Sequence, residues 1–576
     1  MGKRRILFTG EASFLSTGFA TFNREIIKRL YATGKYEIAE MGSYASAQDP
    51  RSQKNPWRFY PVLPINQKEK EVYDQNPQNQ FGRYKIDSVL ADFQPDIVFD
   101  ARDPWMVEHL VSSRFRDNYT LVLMPTVDSA PQKKDWIEGI FKKSDILTTY
   151  SRYGKRVLES EGCTVRAVTS PGINLNVFKP LDKKLIRDEF HMTPSLFVFG
   201  TVMRNQKRKL FPDLFDAYKR LRNKHAKPSQ VKRAKDKVLK AQEAKKNPNL
   251  TKAERATLRV DHSALYCHTS YPDLGWDIPQ YLYRYSVQRH VIFTYLCDAC
   301  NATYANWFAP CDKNGVSVCR QCGESAAHMP NTHKGVDEEG LVKIFNLFDV
   351  YIQPAICEGW GLPIMESKAC GVPGLYQNYS AMEDHVENGG GFPIVVDRYY
   401  HEAETSAVRS LPSIDNIVEG MEKLALNDKL YIQKSKEARA CAVKMHDWDF
   451  TSNKFIEIFD EVELKDRKTT WDKHPEFGFV TPERPPSNID DQGFVHWCYV
   501  NILHRLPDGP GMNDWMSSLS KGTPRIEVES YFRNLVGMNN NFEQTRWSNS
   551  LKNRGIKEAP ISKFNLEEDF VPGVLV

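Results

Sequence analysis

Residues Cys357 to Pro373 read Cys-Glu-Gly-Trp-Gly-Leu-Pro-Ile-Met-Glu-Ser-Lys-Ala-Cys-Gly-Val-Pro, and the chain is organised around them. The apolar segment before them, Leu347-Phe348-Asp349-Val350-Tyr351-Ile352, predicts a short buried strand. Gly359 and Gly361 make a flexible turn, Pro363 opens a helix, and Gly371-Val372-Pro373 stops it. Strand, glycine turn and helix N-terminus together present free backbone N–H groups to a phosphate. Two carboxylates bracket the turn. Glu358 sits just before it and Glu366 about one turn inside the helix, with seven residues between them. Such a pair can hold hydroxyls on either side of a diphosphate, as in a nucleotide-sugar. A glycine turn before a helix is by itself common among α/β proteins.

The full string resembles the Glu-x7-Glu signature of the large retaining family of GT-B glycosyltransferases, Glu-Gly-Phe/Trp-Gly-Leu-Pro-x-x-Glu-x-x-Ala-x-Gly-x-Pro, which use nucleotide-sugars. A second element lies upstream. The strand Leu196–Gly200 ends in Thr201-Val202-Met203-Arg204-Asn205-Gln206-Lys207-Arg208-Lys209 and leads into a helix from Phe211 to Leu221. This resembles the family's Arg-x4-Lys element, whose two cations face the donor diphosphate. The physical need is plain: the diphosphate leaves and gains negative charge, and Arg plus Lys neutralise it without a metal. Alone, a basic run after a strand reads as a solvated turn.

The N-terminal half alternates strands and helices. Arg5-Ile6-Leu7-Phe8 predicts the first strand, a loop from Gly10 to Gly18 follows, and Thr21–Tyr31 has apolar residues at helical spacing. Further strands are expected at Ile97–Asp100, Leu121–Met124 and Asp145–Thr149, a doubly wound parallel pattern. Ligands of such sheets bind beyond the C-terminal strand ends. The loops at Ser16-Thr17-Gly18, Asp100-Ala101-Arg102-Asp103 and Pro125-Thr126-Val127-Asp128 therefore face the crevice. Asp103 and Asp128 are candidates to orient an acceptor or to pair with Arg102, and read equally as helix caps. Ser151–Arg156 and Val168–Pro180 resemble the family's handover between domains, with Asn174 in place of the usual Asp.

Two insertions interrupt the second half. Residues 222–259 are dominated by Lys and Arg and predict an exposed helical extension broken at Pro248, either a solvated face or a nucleic-acid contact. Strands at Leu265–His268 and His290–Thr294 precede Cys297-x2-Cys300 and Cys319-x2-Cys322, with eighteen residues between the knuckles. That spacing predicts a closed, structural four-thiolate zinc site, leaving Cys311 spare. Ribbon and basic extension are both expected beside the crevice. A helix from Asp337 to Phe345 resumes the family pattern. In the loop Asn378–His385 the family's glycines are missing. Helices at 414–427, 430–444 and 450–462 close the domain, and Asp447-Trp448-Asp449 is expected to cap the last.

Length and composition set outer limits. A chain of 576 residues exceeds one compact domain, and 41% hydrophobic with 26% charged residues is an ordinary globular balance. No apolar run approaches eighteen residues, so no membrane span is expected. The first ten residues lack a signal-peptide core, and the odd count of eleven cysteines argues for a reducing cytoplasm. A net charge of +5 permits a polyanionic partner without requiring one. Residues 466–490, with Pro482, Pro485 and Pro486, read as a linker. Residues 491–545 resemble a helical domain of unknown function related to phycobilisome linkers, on Tyr499, Leu503, Arg505, Asp508, Gly511 and Trp515, which implies a protein partner. The tail 546–576 says little.

The resemblance implies an α/β GT-B fold of two facing Rossmann-like domains, residues 1–180 for the acceptor and 181–465 for the nucleotide-sugar, with the zinc ribbon (295–325) inserted. It implies that Arg204 and Lys209 bind the diphosphate, Glu366 the ribose and Glu358 the transferred sugar. Backbone N–H groups of Gly361 and Leu362 meet phosphate, with Gly18 approaching from the first domain. It further implies retention of anomeric configuration, a UDP-sugar as favoured donor, and no catalytic divalent metal. The leading acceptor is a hydroxymethylated pyrimidine in DNA, as with virus-encoded enzymes that modify phage DNA in the host cytoplasm. The alternatives are a polysaccharide, lipid-linked or protein acceptor, a GT-B epimerase, or a binding module without catalysis.

Overall fold

The structure, a computed structural model, describes residues 2–471 apart from 16, 332–333 and 446, and residues 489–537 apart from 504–506 and 508. Seven strands form the first sheet: β1 (Arg4–Glu11), β2 (Tyr36–Ser43), β3 (Arg58–Pro61), β4 (Ile97–Asp100), β5 (Thr120–Leu123), β6 (Ile146–Thr149) and β7 (Val165–Val168). All are parallel, in the order β3-β2-β1-β4-β5-β6-β7. Their near-continuous apolar runs follow from helices on both faces; Ile6, Leu7 and Phe8 are all fully buried. The order reverses between β1 and β4, which opens a crevice beyond their C-terminal ends.

The second sheet contains β8 (Phe197–Val202), β9 (Ser263–His268), β10 (Val291–Cys297), β11 (Thr303–Trp307), β12 (Ala327–His328), β13 (Val350–Gln353), β14 (Gly374–Gln377) and β15 (Gly391–Ile394). Its order is β11-β10-β9-β8-β13-β14-β15, with β11 and β12 antiparallel to β10 and the rest parallel. Here the reversal lies between β8 and β13, so the turns after these two strands share one rim. They carry Arg204–Lys209 and Cys357–Gly361. A hairpin, β16 (Val396–His401) and β17 (Val408–Pro412), stands apart from both sheets.

The helix Trp448–Glu461 returns to the first domain. Phe455 and Phe459 pack on Phe99, and Phe459 also on Phe8; Asp460 accepts from Tyr36 Oη at 2.6 Å. Asp447 caps this helix through Asp449 N at 2.7 Å, as expected, and Asp449 pairs with Arg29. The two crossings between domains touch: a Cβ on Gly172 would lie 2.4 Å from Trp448 N, so only glycine fits.

Three expectations need correction or completion. The start of the expected linker is docked: Trp471 is buried in the first domain's core, its Nε1 donating to Pro95 O at 3.1 Å, and Arg467 binds Asp96. A lone tryptophan anchor is invisible to composition. The basic extension is two helices, Pro228–Glu243 and Lys252–Asp261, laced by Lys237–Glu254 and Lys235–Asp261. It is not beside the crevice. The helix Phe211–His225 starts at the crevice rim and runs back about 22 Å, and the pair is rooted there, next to the start of β9. The C-terminal helices Asp491–Asn501, Gly509–Ser520 and Arg525–Gly537 have their own core of Phe494, Cys498, Leu519, Val528 and Phe532. Of the expected helical domain, Arg505 and Asp508 lie outside the described residues, as do 538–545, the tail 546–576 and all three linker prolines. None of the described helices is long and apolar enough to cross a membrane.

Candidate active site

The turn after β8 is zipped to the segment after β13 by backbone contacts. Ile356 N donates to Arg208 O at 2.9 Å and Leu210 N to Pro354 O at 3.2 Å. This register brings Lys209 Nζ directly onto Glu358 Oε1, with Gln353 Nε2 at 3.3 Å from the same oxygen. Both residues are buried. Burial pushes the Lys209 ammonium down, the nearby Arg208 charge adds to this, and Cys357 opposes it. Ser380 holds the Glu358 backbone from the other side, accepting from Glu358 N at 3.0 Å and donating to its O at 3.1 Å. So the loop lacking the family's glycines still meets the motif, with Ser380 in the left-handed region at φ 56°.

Gly361 has φ 98°, a conformation that favours glycine, and heads the helix Leu362–Ala369 without a side-chain cap. Within the first turn Pro363 has no N–H and Ile364 N donates to Gly361 O at 3.0 Å, so the N–H group left for a ligand there is that of Leu362. Opposite stands the N-terminus of the helix Gly18–Ala32, capped by Thr17. A Cβ on Gly18 would sit 3.6 Å from Leu362 Cδ1, so the two N-termini converge across the cleft. Their dipoles add at one point, which suits an anion. Gly359 allows this closure; a Cβ there would lie 2.2 Å from Thr126 Cγ2 of the first domain.

Glu366 lies in the second turn of the motif helix. Burial, with a smaller contribution from Glu338, pushes its carboxyl up to about 8. Among the described residues no hydrogen bond or ion pair engages its side chain. Its carboxyl group is thus left without a partner among those residues and protonated at neutral pH.

Arg204 is not drawn to Lys209 or Glu358. Its Nε and Nη2 sit on Asp273 at 2.9 and 3.0 Å. Arg102 pairs with neither Asp103 nor Asp128, which corrects the sequence reading. It is fully buried, grips Asp100 at 2.5–3.0 Å and donates to Ser43 Oγ. Asp128 is engaged by Arg409 Nη1 at 3.1 Å and by the Cys357 thiol at 3.3 Å, a contact between domains rather than an open acceptor group. Asp103 heads the helix Pro104–Val111 without capping it. Burial and the nearby Asp128 raise its carboxyl to about 7.

Two cations escaped the sequence reading. Arg208 is exposed and close enough to Asp103 and Lys209 to act on both charges. Its place inside the basic run was the only available signal. Arg409 lies on β17 and joins Asp128, Cys357 and Glu402. No sequence pattern marks it. Around Asp103 the rim is aromatic: Trp105 is 45% exposed and tilts against Trp136 at 5.8 Å, with Lys133 Nζ 5.3 Å from the Trp136 ring.

The four cysteines converge. The ligand atoms of Cys297, Cys300, Cys319 and Cys322 all lie within 4.8 Å of one another, with Sγ–Sγ separations of 3.7 Å (Cys297–Cys322) and 3.9 Å (Cys300–Cys319). Tetrahedral thiolates at about 2.3 Å from zinc stand about 3.8 Å apart, so the set fits such an ion. Cys311 is outside the set.

Comparison with known proteins bears on the fold. The fold is GT-B. Sucrose-phosphate synthase from Thermosynechococcus elongatus superposes with a TM-score of 0.56 at 12% identity, over 80% of this chain and 99% of that one. HepE of Anabaena, in complex with UDP and glucose, gives 0.53 at 12% identity over 80% and 100%. A glycosyltransferase from Rickettsia africae gives 0.50 at 14% over 80% and 99%. Residues 328–440, which contain the Glu-x7-Glu string, match the model of glycosyl transferases group 1. Residues 482–536 match a domain of unknown function, DUF4214. No curated protein sequence matches the chain.

Proposed function

We propose that the chain is a retaining glycosyltransferase that moves a sugar from a nucleotide-sugar, a UDP-sugar in the first instance, to an acceptor hydroxyl. The observation that carries this reading is the convergence of two helix N-termini, at Gly18 and Gly361–Leu362, beside Lys209 and above Glu366. It offers an anion site with a hydroxyl acceptor next to it. HepE, which shares the fold, has been seen with UDP and with UDP-glucose.

In this reading the diphosphate lies between the two N-termini, with Lys209, Arg208 and Arg204 around it. Glu366 takes the ribose hydroxyls and Glu358 those of the sugar. The bond from the anomeric carbon to the leaving oxygen breaks as the acceptor oxygen bonds to the same face, and the acceptor proton passes to the leaving phosphate. Neutralising that phosphate as it departs is the chain's main catalytic contribution. The four thiolates would hold a structural zinc, closed to chemistry.

For the acceptor, the Trp105–Trp136 pair beside Asp103 suits a flat ring, with Asp103 to receive the hydroxyl. A hydroxymethylated pyrimidine in DNA satisfies both. The basic helix pair, rooted away from the crevice, lends this no support, and the aromatic rim carries it. The test is a panel of radiolabelled UDP- and GDP-sugars offered with hydroxymethylated DNA, glycan and peptide. Label transferred to DNA is expected. Label on glycan or peptide alone would keep the transferase and replace the acceptor, whereas release of free sugar with no acceptor labelled would favour a non-transferase.

A further inference from the structure

The loop 269–277, between β9 and the helix Ile278–Tyr285, touches two places that the sequence keeps apart. On one side it clasps the cation turn. Asp273 receives Arg204, and Ser270 Oγ accepts from Asn205 N at 3.3 Å. Asn205 and Trp276 exchange two hydrogen bonds, Nδ2 to O and N to Oδ1, each 2.8 Å. Trp276 Nε1 donates to Lys209 O at 2.7 Å. A Cβ on Gly275 would fall 2.4 Å from Asn205 Oδ1, so the approach is as close as backbone permits.

On its other side the loop rests on the cysteine ribbon. The Tyr271 ring meets Phe308 edge-on at 5.5 Å, and a Cβ on Gly315 would lie 2.5 Å from Pro272 Cδ. Phe308 and Gly315 both belong to the stretch between the two cysteine knuckles. Cys300 and Cys322 are exposed; among the described residues Cys297, Tyr304, Ala305, Cys319 and Ala327 are buried in the domain's core, with Ala302, Phe308, Ala309 and Ala326 packed against it. So small a unit needs a cross-link to keep its shape.

We propose that the cysteine ribbon, acting through the loop 269–277, sets the position of Arg204 and Lys209, so that metal occupancy of the four-thiolate site governs affinity for a nucleoside diphosphate. This rests on the donor reading above. Asp273 is a positioning residue. It uses two of the five guanidinium donors of Arg204 and leaves three free to meet phosphate from a fixed origin. With the ribbon slack, Tyr271 and Pro272 lose their support, and the loop that anchors the Lys209 carbonyl moves with them. A shift of about 1 Å in such a cation is enough to weaken phosphate binding about tenfold or more.

The experiment titrates the full chain with UDP and with uridine by calorimetry, metal content being followed by mass spectrometry. Phe308→Ala and chelator-stripped protein are each expected to weaken UDP about tenfold while leaving uridine unchanged. In an Arg204→Ala background, Phe308→Ala is expected to cost clearly less than in the unaltered chain, because Arg204 is one of the two cations that the loop sets. Unchanged UDP affinity in both altered proteins would overturn the proposal. So would an equal loss for uridine, or full additivity with Arg204→Ala. If the unaltered chain bound no UDP at all, the donor reading itself would fall and this inference with it.

Discussion

The two walls of the cleft are built in different ways. The second-domain wall is made from contiguous sequence: a glycine turn, a helix N-terminus and two carboxylates one helical stretch apart, closed by Lys209 from the neighbouring turn. The first-domain wall is assembled from distant pieces, Gly18, Asp103 and Thr126, and is fastened by Arg409 reaching Asp128 from the hairpin. In the proposed reading, backbone geometry makes the donor wall, and long-range side-chain pairs fasten the acceptor wall. The first kind is written in one contiguous stretch and the second is scattered along the chain, which is why the sequence pointed to a donor more readily than to an acceptor.

The difference can be broken at several depths. The largest effect belongs to the donor wall: Glu366→Ala and Arg204→Ala are expected to abolish transfer while circular dichroism stays unchanged. Full activity in either would remove that residue from the site. Next comes Lys209→Ala, expected to lower kcat about 10²–10³-fold and to destabilise by about 3 kcal/mol, because Glu358 is left buried without its counter-charge. Thermal unfolding and initial rates measure the two parts separately. Lost activity with unchanged stability would mean the pair is not buried as described.

Titration separates the two glutamates. Glu366, raised to about 8, is protonated at neutral pH, so donor affinity that depends on its charge should rise about tenfold from pH 7 to pH 9. Glu366→Gln should flatten that profile. The sign for stability is opposite: the folded chain holds this proton between the ordinary 4.5 and about 8, where the unfolded chain has lost it, so this contribution to stability falls as pH rises through that window. A donor affinity independent of pH would show that Glu366 is ionised throughout or not at the ribose.

The acceptor wall should give smaller effects. Arg409→Ala leaves the Cys357 thiol as the remaining contact on Asp128 across the domains and is expected to cut transfer about tenfold, with small-angle scattering showing a larger radius of gyration. The smallest effect is expected for Lys232→Ala with Lys240→Ala on the exposed helix pair, less than about twofold for every acceptor. A steep loss confined to DNA would contradict the placement of that pair away from the crevice.

How much of this was legible beforehand follows the same division. The doubly wound sheets showed because buried parallel strands are written as short apolar runs, and β1, β4, β5, β6, β8, β9, β10 and β13 all lie within three residues of their expected bounds. The Cys-x2-Cys knuckles and the donor string showed because their chemistry fixes spacing. Arg409, Asp273 and Arg208 did not show, since each works through a partner far away in sequence and lies on no periodic pattern. The hairpin that carries Arg409 is a two-stranded unit whose exposed residues resemble a loop. The alternative that Arg102 pairs with Asp103 or Asp128 falls for a related reason: its partner, Asp100, lies two residues away at the end of β4, where proximity along the chain wins over the cleft. Trp471 escaped because one buried ring leaves no compositional trace.

The measurement that meets the central claim most directly is a crystal structure of the chain with UDP. The account predicts the diphosphate between the backbone N–H groups of Gly18 and Gly361–Leu362, Lys209 Nζ within hydrogen-bond distance of it, and both ribose hydroxyls on Glu366. UDP bound elsewhere, or bound in this cleft with its ribose away from Glu366, would contradict it.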